Sequence, residues 1–575
     1  MIAKQLQIIV DSNPNKISID DCNGKKISYR QLWELVCTFS AAIDDFAQDD
    51  KYIGLIADQD TYAVIALVST ILNGRTIIPI DPRLSALEIE EILSPFTRKI
   101  ICRNKDTHIL SGRFVALECE DLIFRESTGY CFKDEDTDAY IIHTSGTTGK
   151  PKPVLAKQGA LLHVVSELSS RYYIDNNSNV LQFAYMSFDS SLVEIFSTFL
   201  SGGTLIIPGH QLRNDTYGAL ETLLMRKVIS VVTLPPSFAL GCKTTALSNL
   251  DTLILAGEEC PINLANSLYK KVKHLINAYG PTESIICATT YEIKSLQNIG
   301  RIPIGAPLNG MRIEIANIKN NCSGIPGSGE ILLFSDYLAQ GYPGHKRETS
   351  EKFKVDPKTN AIYYTTGDIG HINDDGNYEF LGRIDNQIKI NGQRVELESI
   401  EANIKRITGI TELIVIYDGH LYCAYKNNGA VQPSDIRGSL SGKMSPHTIP
   451  NVFILVDLIL LDGNGKINRR DMLNKIKEQL HSTKNINKTD NNFCNEMIML
   501  WEATISASNS MINDNSDFFE VGGDSLSALR LVKAINDKYL INIKLAEILQ
   551  DTVTPLKMSS IVENKLILTR TLNDN

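Results

Sequence analysis

Several stretches of this chain gather side chains suited to phosphate chemistry. Thr144-Ser-Gly-Thr-Thr-Gly-Lys-Pro-Lys152 holds four hydroxyls, two glycines and two lysines in nine positions. Backbone N–H groups and hydroxyls of such a loop can cradle phosphate oxygens, and lysine adds point charge. The string lacks the GxxxxGK[ST] spacing of a Walker A loop. Asn277-Ala-Tyr-Gly-Pro-Thr-Glu283 supplies a ring that can lie against a purine, a hydroxyl for phosphate and a carboxylate for Mg²⁺. Tyr364-Thr-Thr-Gly-Asp368 offers a carboxylate, at an expected strand-to-turn position, that can accept both ribose hydroxyls. A different signal lies near the C-terminus, in Asp517-Phe-Phe-Glu-Val-Gly-Gly-Asp-Ser-Leu526. Ser525 there opens an apolar-patterned helix, where the dipole favours an attached phosphate. The bland alternative is a serine helix cap.

These groups need a scaffold. Through about residue 380, short β-rich runs such as Tyr52–Ala57, Thr76–Ile80, Thr204–Pro208 and Leu250–Ala256 alternate with helical segments such as Ala160–Arg171. The alternation predicts an α/β fold with mostly parallel sheet. A smaller α+β unit follows, with a strand-like run at Glu412–Tyr417 and a loop at Asp462–Lys466. Residues 479–492 are polar and unpatterned and read as a linker. Residues 493–570 carry helical spacing, as in Met497, Leu500, Trp501 and Ile505, and predict a small all-α bundle. The expected domains are 1–384, 385–478 and 493–575.

Composition narrows the classes. The 575 residues carry a net charge of -10, and 43% are hydrophobic. A mainly disordered chain is excluded. The balance gives no electrostatic footprint for nucleic acid or an anionic membrane. A membrane helix needs about 20 predominantly apolar residues. The longest apolar stretch, Phe453–Leu461, is interrupted by Asp457. The 11 cysteines form no CxxC pair, which predicts reduced thiols in a cytoplasmic protein with no zinc site.

Two further strings complete a series: Gly382-Arg-Ile-Asp-Asn-Gln-Ile-Lys-Ile-Asn-Gly-Gln-Arg394 and Asn464-Gly-Lys-Ile-Asn-Arg469. In this order and at these separations, the motifs resemble the ANL adenylate-forming superfamily. More narrowly, they are similar to adenylation domains of nonribosomal peptide synthetases, over residues 10 to 475. The Gly-Gly-Asp-Ser string resembles a peptidyl carrier domain, over 493–570. The resemblance implies a large adenylation core, a small mobile C-terminal subdomain and a helical-bundle carrier. It implies activation of an amino acid by ATP and Mg²⁺, then transfer to 4′-phosphopantetheine on Ser525.

Residue roles follow from the same resemblance. Lys466 bridges the substrate carboxylate and the phosphate. Thr144, Ser145, Gly146, Thr147, Thr148, Gly149 and Lys150 hold the triphosphate, with Thr282 near the α-phosphate and Glu283 on Mg²⁺. Asn277, Tyr279 and Gly280 form the adenine wall. Asp368 and Arg383 take the ribose. Asp385 is a hinge, and Lys389 lies near the second-step acceptor. Pro153 departs from the family, whose loop ends in glycine there; it removes an N–H and fixes φ.

Asp189, in Phe188-Asp-Ser-Ser191, matches the family's partner for the substrate α-ammonium, with a helix cap as the alternative. By motif alignment the pocket walls are Ser190, Val193, Thr233, Ile254, Ala256, Ala278, Ile286 and Cys287. None is charged, which disfavours Asp, Glu, Lys and Arg as substrates; the set resembles phenylalanine-activating pockets, except that Ser190 and Val193 replace alanine and tryptophan, and that resemblance implies a bulky aromatic substrate, Phe, Tyr or Trp or a modified relative. Implied partners are a phosphopantetheinyl transferase and a condensation or tailoring enzyme expected to act in trans; whether an MbtH-like activator is needed is not legible in the sequence. The rival readings are a stand-alone acyl-CoA or aryl ligase, and a carrier scaffold whose adenylation half is degenerate.

Overall fold

The computed structural model describes residues 1–575 apart from 23, 57–58, 104–105, 107–109, 111, 120–129, 133–134, 145–150, 209–215, 227, 297–299, 317–324, 386, 391–392, 419–420, 427–432, 441–442, 445–447, 461–468, 483–491, 506–511, 515, 517, 519–520, 522, 524, 540, 542, 545–552 and 574–575. Contacts divide the chain into two compact units. One holds Met1–Ser145, Pro151–Asp385 and Asn391–Arg394. The other holds Gly146–Lys150, Asn386–Ile390 and Val395–Asn575.

Two large sheets build the first unit. The six-stranded one runs Val115–Glu118, Lys99–Cys102, Tyr52–Ile56, Thr76–Ile80, Asp138–Thr144, Lys152–Lys157. Its strands pair in parallel except the last two, which are antiparallel. The nine-stranded sheet has a parallel centre, Asn179–Leu181, Val231–Leu234, Thr252–Ala256 and His274–Tyr279 among it, with antiparallel edges. The alternating pattern thus gives mostly parallel sheets. Helix Thr61–Leu72 shows why they stack. It is apolar all round and buried along its length, so it must lie inside the core. Its Asp60 cap accepts hydrogen bonds from Tyr62 N (2.9 Å) and Ala63 N (3.0 Å). A third, antiparallel sheet pairs Ile362–Ile372 with Gly329–Phe334, Phe353–Val355 and Tyr378–Arg383.

In the second unit, strands Leu413–Tyr417, Leu421–Tyr425 and Val452–Leu455 form one sheet beside helices Leu397–Thr408, Pro433–Leu440 and Arg469–Ser482. Further along, helices Asn492–Thr504, Ser525–Tyr539 and Pro555–Asn573 enclose Met497, Trp501, Phe518, Leu531, Ile535, Met558 and Val562. Trp501 meets Phe518 edge-on at 5.0 Å, and its indole N–H donates to Met558 Sδ at 3.3 Å. The expected helical bundle is therefore present. Among the described residues no helix is long and apolar enough to cross a membrane, the cysteines are free thiols, and no cluster suits a metal ion.

Candidate active site

The site starts where parallel strands end, as ligand sites in α/β sheets do. Strand His274–Tyr279 delivers Asn277 and Tyr279 to that edge. Asn277 is buried, and its amide donates to Pro303 O at 2.7 Å. After Tyr279 the chain doubles back, and Ala288 N donates to Tyr279 O at 2.8 Å. Gly280 permits this approach, since a Cβ there would lie 2.5 Å from Cys287 Cα. Gly280→Ala is expected to cost about 1–3 kcal/mol of stability by overpacking, read from the denaturant midpoint.

The reversal passes through a single 3₁₀ turn, Thr282–Ser284. Ile285 (φ 58°) and Ile286 (φ 73°) follow it. Left-handed backbone is strained for a β-branched residue, and such strain clusters at functional sites. The turn buries Glu283, whose Oε1 accepts from Tyr342 OH at 2.6 Å. Mg²⁺ commonly binds through one or two carboxylates plus substrate phosphates. A single buried carboxylate beside a phosphate-type hydroxyl, Thr282, fits an ion that arrives with the nucleotide. Tyr342 was not legible in the sequence; nothing in its own neighbourhood marks it.

The ribose candidates meet directly. Asp368 and Arg383 pair across strands Ile362–Ile372 and Tyr378–Arg383 and share an ion pair. Tyr279 OH donates to Asp368 Oδ2 at 2.5 Å. Burial, then the Asp368 charge, pushes the Tyr279 phenol well above its usual range, so it stays a donor. Arg383 also grips Asp385 with both ends of its fork, at 2.6 and 2.7 Å. One correction follows. Asp368 lies inside a long strand, not at a strand-to-turn position. Gly367 (φ 76°) and a register shift in the pairing with Gly329–Phe334 make a local kink there, which the short motif resembles.

Thr144 ends strand Asp138–Thr144 and pairs with Lys152. Residues 145–150, hence Ser145, Gly146, Thr147, Thr148, Gly149 and Lys150, lie outside the described residues. Pro153 stands in the edge strand of its sheet, opposite His143, where a missing N–H is tolerated. Burial, then His345, pulls His143 down to about 4, and its Nδ1 has no hydrogen-bond partner among the described residues. An uncharged ring therefore sits directly before the loop.

Four of the residues aligned to the pocket share one sheet face. Thr233 pairs with Ile254, and Ala256 with Ala278, across neighbouring parallel strands. Period-two alternation then puts Thr233, Ile254, Ala256 and Ala278 on one face. Ile276, opposite Ile254, joins them and was missed by motif alignment. Val193, Ile286 and Cys287 pack into the same apolar cluster. Burial pushes the Cys287 thiol up to about 12; it donates to Thr289 O at 3.2 Å. Asp189 occupies the cap position of helix Ser190–Ser201, yet its side chain makes no capping hydrogen bond. Its charge raises the buried Tyr140 phenol, after burial itself. Tyr140 lies on strand Asp138–Thr144. Ser190 is the first residue of that helix.

Ser525 opens helix Ser525–Tyr539. The preceding turn is built on Gly523, whose N–H donates to Phe518 O at 2.8 Å. A Cβ on Gly523 would lie 2.4 Å from the Phe518 ring. A serine at the start of a helix fits one that carries a phosphodiester. Lys466 falls in 461–468, outside the described residues, as does the side chain of Ser525.

An α/β core with a nucleotide-type site, joined to a helical carrier bundle, defines an adenylation–carrier didomain. The chain belongs to the AMP-binding enzyme family, which matches residues 6–343, and a phosphopantetheine attachment site matches 495–560. It is 30% identical over 549 residues to tyrocidine synthase 1 of Brevibacillus parabrevis, covering 92% of this chain and 49% of that protein. Gramicidin S synthase 1 of Brevibacillus brevis is 29% identical over 555 residues, with 92% and 49% covered. The chain thus spans about half the length of these curated relatives. Its fold matches holo-PA1221, a nonribosomal peptide synthetase protein with adenylation and carrier domains bound to a vinylsulfonamide inhibitor. The TM-score is 0.80 at 22% identity, covering 98% of this chain and 96% of that one. The Vibrio cholerae adenylation domain AlmE, in complex with glycyl-adenosine-5′-phosphate, gives 0.71 at 21% identity, covering 84% and 98%. The family is one of ATP- and Mg²⁺-dependent adenylating ligases, and the carrier bears 4′-phosphopantetheine.

Proposed function

We propose that this chain activates a bulky aromatic α-amino acid and loads it onto its own carrier. In this reading residues 1–384 are the adenylation core and 385–478 the mobile subdomain that brings Lys466. Residues 479–492 link it to the carrier, 493–575. The observation that carries the substrate reading is Asp189. It stands at the start of helix Ser190–Ser201, which also carries Ser190 and Val193, and none of the residues aligned to the pocket is charged. A buried ammonium requires such a partner. The small Ala256 and Ala278 leave depth for a ring.

The amino-acid carboxylate attacks the α-phosphorus of ATP, and pyrophosphate leaves. Two anions meet, so preorganised positive charge must already stand where negative charge develops at the transition state. Lys466 supplies it, and Thr144–Lys150 hold the triphosphate with Thr282 beside the α-phosphate. Glu283 would hold the Mg²⁺ that neutralises the phosphates. Tyr279, with Asn277 and Gly280 in the same wall, faces the adenine, while Asp368 and Arg383 fix the ribose. Asp385 is the hinge, supported by the division of the two units immediately after it. Bound phosphopantetheine supplies the thiol that accepts the aminoacyl group and releases AMP. The aminoacyl thioester passes to a condensation or tailoring enzyme in the cytoplasm, after a phosphopantetheinyl transferase has modified Ser525. An MbtH-like protein is the activator to add if the purified chain is slow.

The test is intact mass after a phosphopantetheinyl transferase and CoA, then ATP, Mg²⁺ and a mixture of amino acids. Two successive gains are expected, the second matching an aromatic residue. Preferential loading of Val or Ala would sink the aromatic assignment. Discrimination among rings need not be strict, since one methylene changes binding by about 1–3 kcal/mol.

A further inference from the structure

Arg469 is three residues beyond Lys466, at the start of helix Arg469–Ser482. Its guanidinium is held from three directions. Nη2 meets Glu401 Oε1 at 2.8 Å and Glu398 Oε1 at 3.1 Å, and Nε donates to Val415 O at 3.3 Å. Glu398 and Glu401 lie on helix Leu397–Thr408, and Val415 on the edge strand Leu413–Tyr417 of the subdomain's three-stranded sheet. The other side of this clamp is equally fixed. Glu401 is buried, and its Oε1 also accepts from Val415 N at 2.9 Å. Burial pushes the Glu401 carboxyl up, and the Val415 N–H and Arg469 pull against it. A fork that engages two carboxylates and a carbonyl is geometry only arginine provides.

Three residues of chain span at most about 11 Å. The point where Arg469 is clamped therefore bounds how far Lys466 can stray. A lysine is a point charge on a flexible stem, and it bridges carboxylate and phosphate only if its backbone is held. We infer that Arg469, locked to Glu401 and Glu398, is a positioning residue for Lys466, acting in adenylation and not in thioester formation. The inference rests on the reading of Lys466 given above.

The split between half-reactions tests it on the full chain carrying its phosphopantetheine. Arg469→Ala is expected to lower the kcat of ATP–pyrophosphate exchange about 10²-fold, the scale of a small misplacement at a reacting centre. Transfer to Ser525 from aminoacyl adenylate supplied ready-made stays within a factor of about two, because the clamp then has no lysine task to support. Glu401→Gln gives the same split, and Arg469→Lys recovers part of the exchange. A general weakening of the subdomain would lower both half-reactions together, and that result, like no loss of exchange at all, overturns the inference. Lys466→Ala runs alongside. If it leaves exchange intact, the reading of Lys466 itself fails and the inference falls with it. If it abolishes exchange while Arg469→Ala does not, the inference alone fails.

Discussion

Lys466→Ala is expected to lower adenylate formation about 10²–10³-fold, the cost of removing one preorganised charge from a developing oxyanion. The loss should fall on kcat of pyrophosphate exchange, with KM for ATP little moved. Lys466 is asked to stabilise charge that exists only as the carboxylate attacks, and an interaction made only in the transition state lowers kcat and kcat/KM together. In the proposed reading, ground-state grip on the nucleotide belongs to other residues. Tyr279, Asp368 and Arg383 are already joined by hydrogen bonds and an ion pair, and Glu283 is already anchored by Tyr342. Transfer from ready-made adenylate should survive, because that step expels AMP from a neutral acyl centre. A rise in KM for ATP with kcat unchanged would instead make Lys466 a phosphate-binding residue. Steady-state exchange over a range of ATP concentrations separates the two outcomes.

What the sequence made legible differs by kind of contact. The alternation that marks parallel strands is local, so the strands at Tyr52–Ile56, Thr76–Ile80 and Thr252–Ala256 could be placed within a residue or two. Motif strings are local as well, and they drew Tyr279, Asp368 and Arg383 to one site before any distance was known. Contacts between distant segments left no such mark. Tyr342 reaches Glu283 across 59 positions, and Arg469 reaches Glu401 across 68. No periodicity encodes either pairing. The kink at Gly367 shows a subtler limit. Thr-Gly-Asp reads as a turn because glycine there takes φ 76°. In the folded chain the same glycine bends a strand whose neighbours continue to pair on both sides. Asp189 shows the converse. Its place before an apolar helix predicts a cap, and it occupies the cap position, but its side chain does not cap. Only tertiary context separates those cases.

Ser525→Ala should remove both mass gains, pantetheinylation and aminoacylation alike, with pyrophosphate exchange retained near the wild-type rate. The change deletes one hydroxyl at the first residue of a 15-residue helix. If Ser525 were only a cap, the cost would be about 1 kcal/mol of stability and no loss of modification. The two readings therefore differ in kind. The bundle should tolerate the substitution, because its core is made by Trp501, Phe518, Leu531, Ile535 and Met558. Gly523 offers the contrasting variant. Its alanine would push a methyl into the Phe518 ring, distorting the turn that presents Ser525 while leaving the hydroxyl in the chain. Gly523→Ala is thus expected to slow modification by the transferase without abolishing it. Full modification of Ser525→Ala would place the attachment site elsewhere. Rates for Gly523→Ala equal to wild type would show that the transferase reads the serine without its turn.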